Sequence, residues 1–375
     1  MKRILAIALC LVMVLAIVAC GTKPEQTTEA PKNETTEAPK NETTQAPSTD
    51  VTEADYKLGM GVVVAFSEGK AQVDATVATV VVDAEGKIVA CRIDVAQNKF
   101  DLAADDFAAE AAKTFETKME LGDRYGMAGK VDNNGDGVMK EWYEQTKAFE
   151  AYVVGKTAAE VGAIETQFVN NHYIAVDEAL LSAGCSMQIT DFMAAVVAAC
   201  TDEQAVSFKA AGNFTLGVAA NTSAADSTAA TEEADGLVAM YTDFAATVVV
   251  NGKIVAAIND AIQPKITVNV DGEIVETAYV ATKRNLKEAY GMAPALNYGM
   301  DWNNDGKVLE WYLQSAEFSK FVVGKTAAEV EAMATQEVPG KGYIISADAD
   351  LLAAGCTIQI TAIKAVVAEA VNNAR

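Results

Sequence analysis

The nine residues Val153-Val154-Gly155-Lys156-Thr157-Ala158-Ala159-Glu160-Val161 recur unchanged at Val322 to Val330, an offset of 169. Other blocks keep similar spacings. Gly86-Lys87-Ile88-Val89 pairs with Gly252-Lys253-Ile254-Val255, Thr117-Lys118 with Thr282-Lys283, and Tyr125-Gly126-Met127 with Tyr290-Gly291-Met292. Glu141-Trp142-Tyr143 likewise pairs with Glu310-Trp311-Tyr312, and Ala183-Gly184-Cys185 with Ala354-Gly355-Cys356. A period this long is no solenoid repeat but a duplicated unit of a size that folds alone. The expected organisation is a first module over 55–203 and a second over 204–375.

Within each half, strands come before helices. Val62 to Phe66 and Val73 to Val82 are rich in β-branched residues, Asp83-Ala84-Glu85-Gly86 is a turn, and Lys87 to Val95 alternates like a returning strand. From Trp142 to Val153 the apolar spacing becomes helical, Thr157 with Glu160 forms a capping box for a second helix, and Thr190 caps a third running through Ala199. The expected fold class is α+β: a tandem duplicated domain, each copy an antiparallel β-hairpin or meander followed by packed helices. Ala219 to Asp235, small and polar, reads as a surface loop, and His172, which has no counterpart in the second half, reads as a surface residue.

The first 54 residues are of a different kind. Lys2 and Arg3 precede an apolar run from Ile4 to Ala19, shorter than the roughly 20 residues a spanning helix needs. It ends at Ile17-Val18-Ala19-Cys20-Gly21, which resembles the lipobox of bacterial lipoproteins. The resemblance implies a signal peptide over 1–19, removal of which leaves Cys20 as the lipid-bearing N-terminus. Thr27 to Glu34 is then repeated letter for letter at Thr35 to Glu42 and loosely at Thr43 to Asp50. No large apolar side chain occurs there, so 20–54 is expected to be an extended tether. The expected location is the outer face of the cytoplasmic membrane or the cell surface of a Gram-positive-like envelope, with the membrane as partner through the lipid on Cys20.

With 52 acids against 29 bases the net charge is −23, which repels phosphate backbones and argues against nucleic acid as a partner. A single histidine, His172, argues against serine-triad chemistry and His-rich zinc sites. A binding or electron-carrier protein is expected rather than a hydrolase. Of the cysteines in the two halves, Cys185 is matched by Cys356, but Cys91 and Cys200 align with Ala257 and Val371. A disulfide common to both halves is therefore excluded. Buried thiols are the main reading, with a Cys91–Cys200 bond or reactive thiols as alternatives.

Two constellations carry candidate chemistry. Asp132-Asn133-Asn134-Gly135-Asp136-Gly137 with Glu141 is mirrored by Asp301-Trp302-Asn303-Asn304-Asp305-Gly306 with Glu310. Oxygens at alternate positions, a glycine for the turn and a following carbonyl suit calcium. The spacing resembles the loop of EF-hand and dockerin proteins, which implies ligands at Asp132, Asn134, Asp136, Val138 and Glu141, and at Asp301, Asn303, Asp305, Lys307 and Glu310. An Asp-Gly turn with helix-capping acids is the other reading.

The second is the Asp83-Ala84-Glu85-Gly86-Lys87-Ile88 turn together with Gly184-Cys185-Ser186 and Gly355-Cys356-Thr357. Their order resembles the FMN-binding domain family of envelope flavoproteins. The resemblance implies noncovalent FMN at Gly184, Ser186, Thr190, Gly355, Thr357 and Thr361, electron transfer, and a redox partner protein. Gln188 and Gln359 stand where that family has the threonine that is esterified to flavin, so no covalent bond is expected. The different-class alternative is a calcium-stabilised, non-enzymatic extracellular binding module. Trp142 and Trp311 read as core residues and Lys118 and Lys283 as solvated ones, with ligand stacking and phosphate binding as the respective alternatives.

Overall fold

An antiparallel strand with one wet face alternates apolar and polar residues, whereas one covered on both faces reads as a continuous apolar run. Gln72–Val82 is of the second kind, buried at ten of its eleven positions. The computed structural model describes residues 53–375 apart from Glu68, Val131, 294–300 and 303–304. The leader, Cys20, almost all of the expected tether, and Asn303 lie outside the described residues.

The first half runs β1 (Ala54–Phe66), β2 (Gln72–Val82), β3 (Ile88–Lys99), α1 (Phe107–Ala111), α2 (Lys118–Leu121), α3 (Trp142–Val153), α4 (Ala158–Gly162), β4 (Thr166–Val169), β5 (His172–Ala175), α5 (Glu178–Ser182) and α6 (Thr190–Cys200). The second half opens with strands: β6 (Val206–Ala210), β7 (Thr215–Ser223), β8 (Gly236–Ala239), β9 (Tyr241–Val250), β10 (Lys253–Ile262), β11 (Lys265–Val268) and β12 (Ile274–Ala278). It continues through α7 (Lys283–Leu286), α8 (Trp311–Phe321), α9 (Ala327–Glu331), β13 (Thr335–Glu337), β14 (Ile344–Ser346), α10 (Ala349–Ala353) and α11 (Thr361–Asn372). The class is α+β, with antiparallel sheets ordered β3-β2-β1-β6, β10-β9-β7 and β12-β11-β8 and two short hairpins.

One face of the first sheet (Ala78, Val80, Ile93) packs on Trp142 and Phe149 of α3 and on Phe192 and Val196 of α6. In the second sheet Ala245 and Ile254 pack likewise on Trp311 and Phe318 of α8 and Val366 of α11. The opposite faces meet each other: Val77 and Val81 share one cluster with Leu216, Phe244, Val248 and Ile258. The layers are therefore helix, sheet, sheet, helix. β6, from the range expected for the second module, completes the first sheet by pairing with β1, and the described residues belong to one compact unit.

The identical nine-residue blocks have a shared task. The Ile88 amide donates to the Lys156 carbonyl at 2.9 Å and the Gly155 amide to the Ile88 carbonyl at 2.7 Å; Ile254 makes the same bonds with Lys325 and Gly324 at 2.9 and 2.7 Å. Each block then opens a helix through a capping box, Thr157 with Glu160 and Thr326 with Glu329. So the chain leaving the long helix is stitched to the start of the third strand of its sheet.

Two local expectations are corrected. Ala219 to Ser223 belongs to β7, paired with β9, and not to a loop, because Ala219 and Ala220 are small residues of a strand covered on both faces. Thr190 is the first residue of α6 rather than its cap; Ile189 holds the cap position without a side-chain bond. His172 is exposed on β5.

Candidate functional site

The Gly-Cys segments lie against the long helices, each held by one glutamine. Gln145 Oε1 on α3 accepts the amides of Ser186 and Met187, both at 3.0 Å. Its Nε2 donates to the Lys140 carbonyl at 2.9 Å and to Met127 Sδ at 3.3 Å. Gln314 repeats this on α8, accepting from the Thr357 amide at 2.7 Å and donating to the Leu309 carbonyl at 2.7 Å and Met292 Sδ at 3.3 Å. Ser186 and Thr357 are buried, and Gly184 and Gly355 sit in the left-handed region with φ of 88° and 93°. Thr190 and Thr361 open α6 and α11. The amides of Ser186, Met187 and Thr357 are thus bonded inside the fold, while the buried Ser186 Oγ has no hydrogen-bond partner.

Beside them, Trp142 and Trp311 are core residues. The Lys118 ammonium lies over the Tyr125 ring at 5.1 Å and the Trp142 ring at 5.6 Å; Lys283 lies over Tyr290 at 5.3 Å and Trp311 at 5.1 Å. Each lysine thus covers the edge of a buried indole with its charge held against two ring faces. Below it a buried acid organises the turn. Asp94 Oδ1 accepts the amides of Val95 and Met119 at 2.7 and 3.1 Å, and Asp260 Oδ1 those of Ala261 and Arg284 at 2.8 and 3.0 Å. Burial pushes the Asp94 carboxyl up to about 6 and raises Asp260 as well.

In the aspartate loops, Asp132 accepts the amides of Gly135 and Gly137 at 2.7 and 2.9 Å, and Asp136 that of Val138 at 2.7 Å and the Asn134 amide side chain at 2.8 Å. Asp301 accepts from the amides of Asp305 and Gly306 at 3.1 and 2.8 Å, and Asp305 from Lys307 at 2.8 Å. Glu141 and Glu310 are engaged elsewhere. Glu141 accepts the amides of Met127 and Ala128 at 2.9 and 3.0 Å, and Glu310 those of Met292 and Ala293 at 2.8 and 3.0 Å, while both cap the long helices. Among the described residues no group of three or more His, Cys, Asp or Glu side chains converges as a metal site would.

A cationic cleft lies where the motifs did not indicate one. A crevice of about 470 Å³ lies between α3 and β3, lined by Arg92, Lys147, Glu150, Arg375, Tyr56 and Phe214 among others. That volume falls within the roughly 300–1,000 Å³ of small-molecule pockets. Glu150 is buried; it accepts from Arg375 Nη2 at 3.0 Å and the Ile93 amide at 2.8 Å, and stands 3.6 Å from Arg92 Nη1. Arg92 also donates to the carbonyls of Cys91, at 2.7 Å, and Arg375, while its Nε is buried without a hydrogen-bond partner. Burial pushes the Glu150 carboxyl up, against the pull of Arg375 and Arg92. Arg92 and Arg375 thus meet the Glu150 carboxylate, Lys147 joins the lining, and Tyr56 and Phe214 meet edge-on at 5.3 Å. The signal the sequence offers is Arg92, a cation among the apolar residues of the Ile88–Ile93 stretch of β3.

Cys91, Cys185, Cys200 and Cys356 are free. Burial pushes Cys185 and Cys356 up to about 12 and Cys200 to about 11, so these thiols are poor nucleophiles.

No protein-family model matches the chain, and no solved structure matches it. A curated protein named chlorophenol reductase, from Desulfitobacterium hafniense, is 40% identical over 98 residues, 23% of this chain and 28% of that protein. The chain thus spans little more than a quarter of the length of that relative. Among the described residues no helix is long and apolar enough to cross a membrane.

Proposed function

We propose that the chain is a lipid-anchored envelope protein with a redox role, binding FMN or a related flavin noncovalently and passing electrons to a partner protein outside the cytoplasm. The observation that carries this reading is the crevice between α3 and β3. FMN joins an anionic phosphate to a planar, largely apolar ring; Arg92, Lys147 and Arg375 suit the first, and Tyr56 and Phe214 the second. The name of the reductase relative supports a redox role, and the Asp83–Ile88 turn supports the flavin family. The Gly184 and Gly355 segments, with their amides already spent, fit a phosphate less well.

The test is FMN titration of the protein from Gly21 onward, followed by absorbance and flavin fluorescence. Near-stoichiometric binding is expected, weakened about tenfold or more by Arg92→Gln and by Lys147→Gln at an exposed position, and untouched by Ser186→Ala with Thr357→Ala. If only the latter pair weakens binding, the flavin belongs at the Gly-Cys segments. A colourless protein with no thermal shift from FMN or riboflavin overturns flavin binding altogether. Anchoring is tested separately: Cys20→Ala should release the protein from membranes or leave it unprocessed.

A second reading, a calcium-stabilised binding module, is favoured by Asn134 Oδ1, an expected ligand oxygen that is buried without a hydrogen-bond partner.

A further inference from the structure

We propose that a second, chemically different binding site lies between α8 and β10, and that it takes a small neutral molecule with a one-ring apolar body and a hydrogen-bond acceptor. A cavity of about 140 Å³ opens there, with Ala257, Ile258, Ala316 and Val323 in its lining together with Asn259 and Ser319. It occupies the position in the second half that the cationic crevice occupies in the first. Where the first half places Lys147 and Glu150 on the helix, the second places Ala316 and Ser319.

Asn259 points to the ligand. It is 1% exposed; its Oδ1 accepts from Ser319 Oγ at 2.8 Å and its main-chain oxygen from Ser315 Oγ at 2.9 Å. With Oδ1 taken by Ser319, Nδ2 is left buried with no partner. Buried donors are almost always paired, so one that lines a cavity calls for an acceptor from within it. The two cations of the lining are already matched. Arg284 Nη2 binds Asp202 at 3.1 Å and the Gln204 carbonyl at 3.0 Å, and Lys320 pairs with Glu317 at 2.6 Å. The occupant is therefore neutral. In size, an apolar cavity of about 150 Å³ holds one benzene ring, and a water in this place would need two to four polar partners. The hydroxyls of Ser315 and Ser319 are turned to Asn259 instead.

Acetophenone, with one ring and one carbonyl, and ethylbenzene, its near-isostere without the acceptor, are the probes, read by saturation-transfer NMR and thermal shift on the protein from Gly21 onward. Acetophenone should bind about tenfold more tightly than ethylbenzene, the factor one neutral hydrogen bond gives. Asn259→Leu should abolish the preference. Ala316→Phe, which enlarges an exposed residue at the mouth, should abolish binding of both probes while the far-UV spectrum and melting temperature stay unchanged. Equal affinity for the two probes, binding that survives Ala316→Phe, or no binding of acetophenone to the unaltered protein, as for a cavity that holds only water, each overturns the proposal.

Discussion

Gly217 on β7 lies so close to the carbonyl of Ala370 on α11 that a Cβ at Gly217 would stand 1.8 Å from that oxygen. The first sheet meets α6 in the same way, where a Cβ at Gly59 would stand 2.0 Å from the Ala199 carbonyl oxygen. In both halves the outer helix is seated on its sheet through a strand glycine that admits its last carbonyls. Since the obstacle is backbone, Gly217→Ala cannot be absorbed by a rotamer change. It should lower unfolding stability by about 1–3 kcal/mol, read as a shifted denaturant midpoint. Gly162→Ala is the control: its nearest neighbour would be Val197 Cγ2 at 3.6 Å, an ordinary contact, and the change should be neutral or mildly stabilising.

Gln145 is the single acceptor for the amides of Ser186 and Met187 and a donor to the Lys140 carbonyl. Gln145→Leu keeps the volume and strands two buried amides, each costing about 1–3 kcal/mol, along with the part-buried Lys140 carbonyl. The expected result is a loss of several kcal/mol in chemical denaturation and early proteolysis in the 183–190 segment. A stability equal to that of the unaltered protein would mean that the segment is held by its apolar contacts alone.

Much of this frame was legible in the sequence, for local reasons. The helix expected over Trp142 to Val153 is the observed one, and the Thr157–Glu160 box is made, because apolar period and capping chemistry act within a few residues. Ala219 and Ala220 misled because small residues suggest a loop, whereas here they let β7 pack between a helix and a second sheet. The cationic crevice was not legible: Arg92, Glu150 and Arg375 are brought together only by the fold, from three distant segments. Glu141 and Glu310 were visible as paired acids, but not their hold on the Met127 and Met292 turns, since an amide acceptor and a metal ligand look alike in sequence.

Stability should fall as pH rises from about 4 to about 7. Glu369 on α11 is partly buried and shares a carboxyl–carboxyl hydrogen bond with Glu120 near Asp94; burial and these neighbours push it up to about 7, while Asp94 stands at about 6. Both groups hold protons in the folded state that they lose in the unfolded one above about pH 4–4.5. The folded state therefore binds more protons across that window, and its advantage is lost as pH climbs to about 7. Glu369→Gln, which keeps one proton donor at all pH values, should raise the melting temperature at pH 8, leave it nearly unchanged at pH 4, and flatten the curve between. A variant equally stabilised at both pH values would place the effect in packing rather than titration.

The aspartate loops give the last prediction. Asp132 and Asp301 already accept loop amides, and Glu141 and Glu310 are held by the Met127 and Met292 turns, so a calcium ion would draw on fewer carboxylates than a standard loop supplies. Weak affinity follows, with Kd on the order of 10⁻⁴ to 10⁻³ M, the range of extracellular modules. At a calcium concentration about ten times Kd, each occupied loop adds about 1.4 kcal/mol through RT ln(1 + [L]/Kd). For a folded unit of this size that is a rise of roughly 2 °C per loop. Melting curves with millimolar calcium should show this rise, smaller with magnesium, halved in Asp136→Ala or Asp305→Ala and lost in the double variant. Identical curves with calcium and with chelator would leave the two loops as plain Asp-Gly turns that lead the chain into the Trp142 and Trp311 helices.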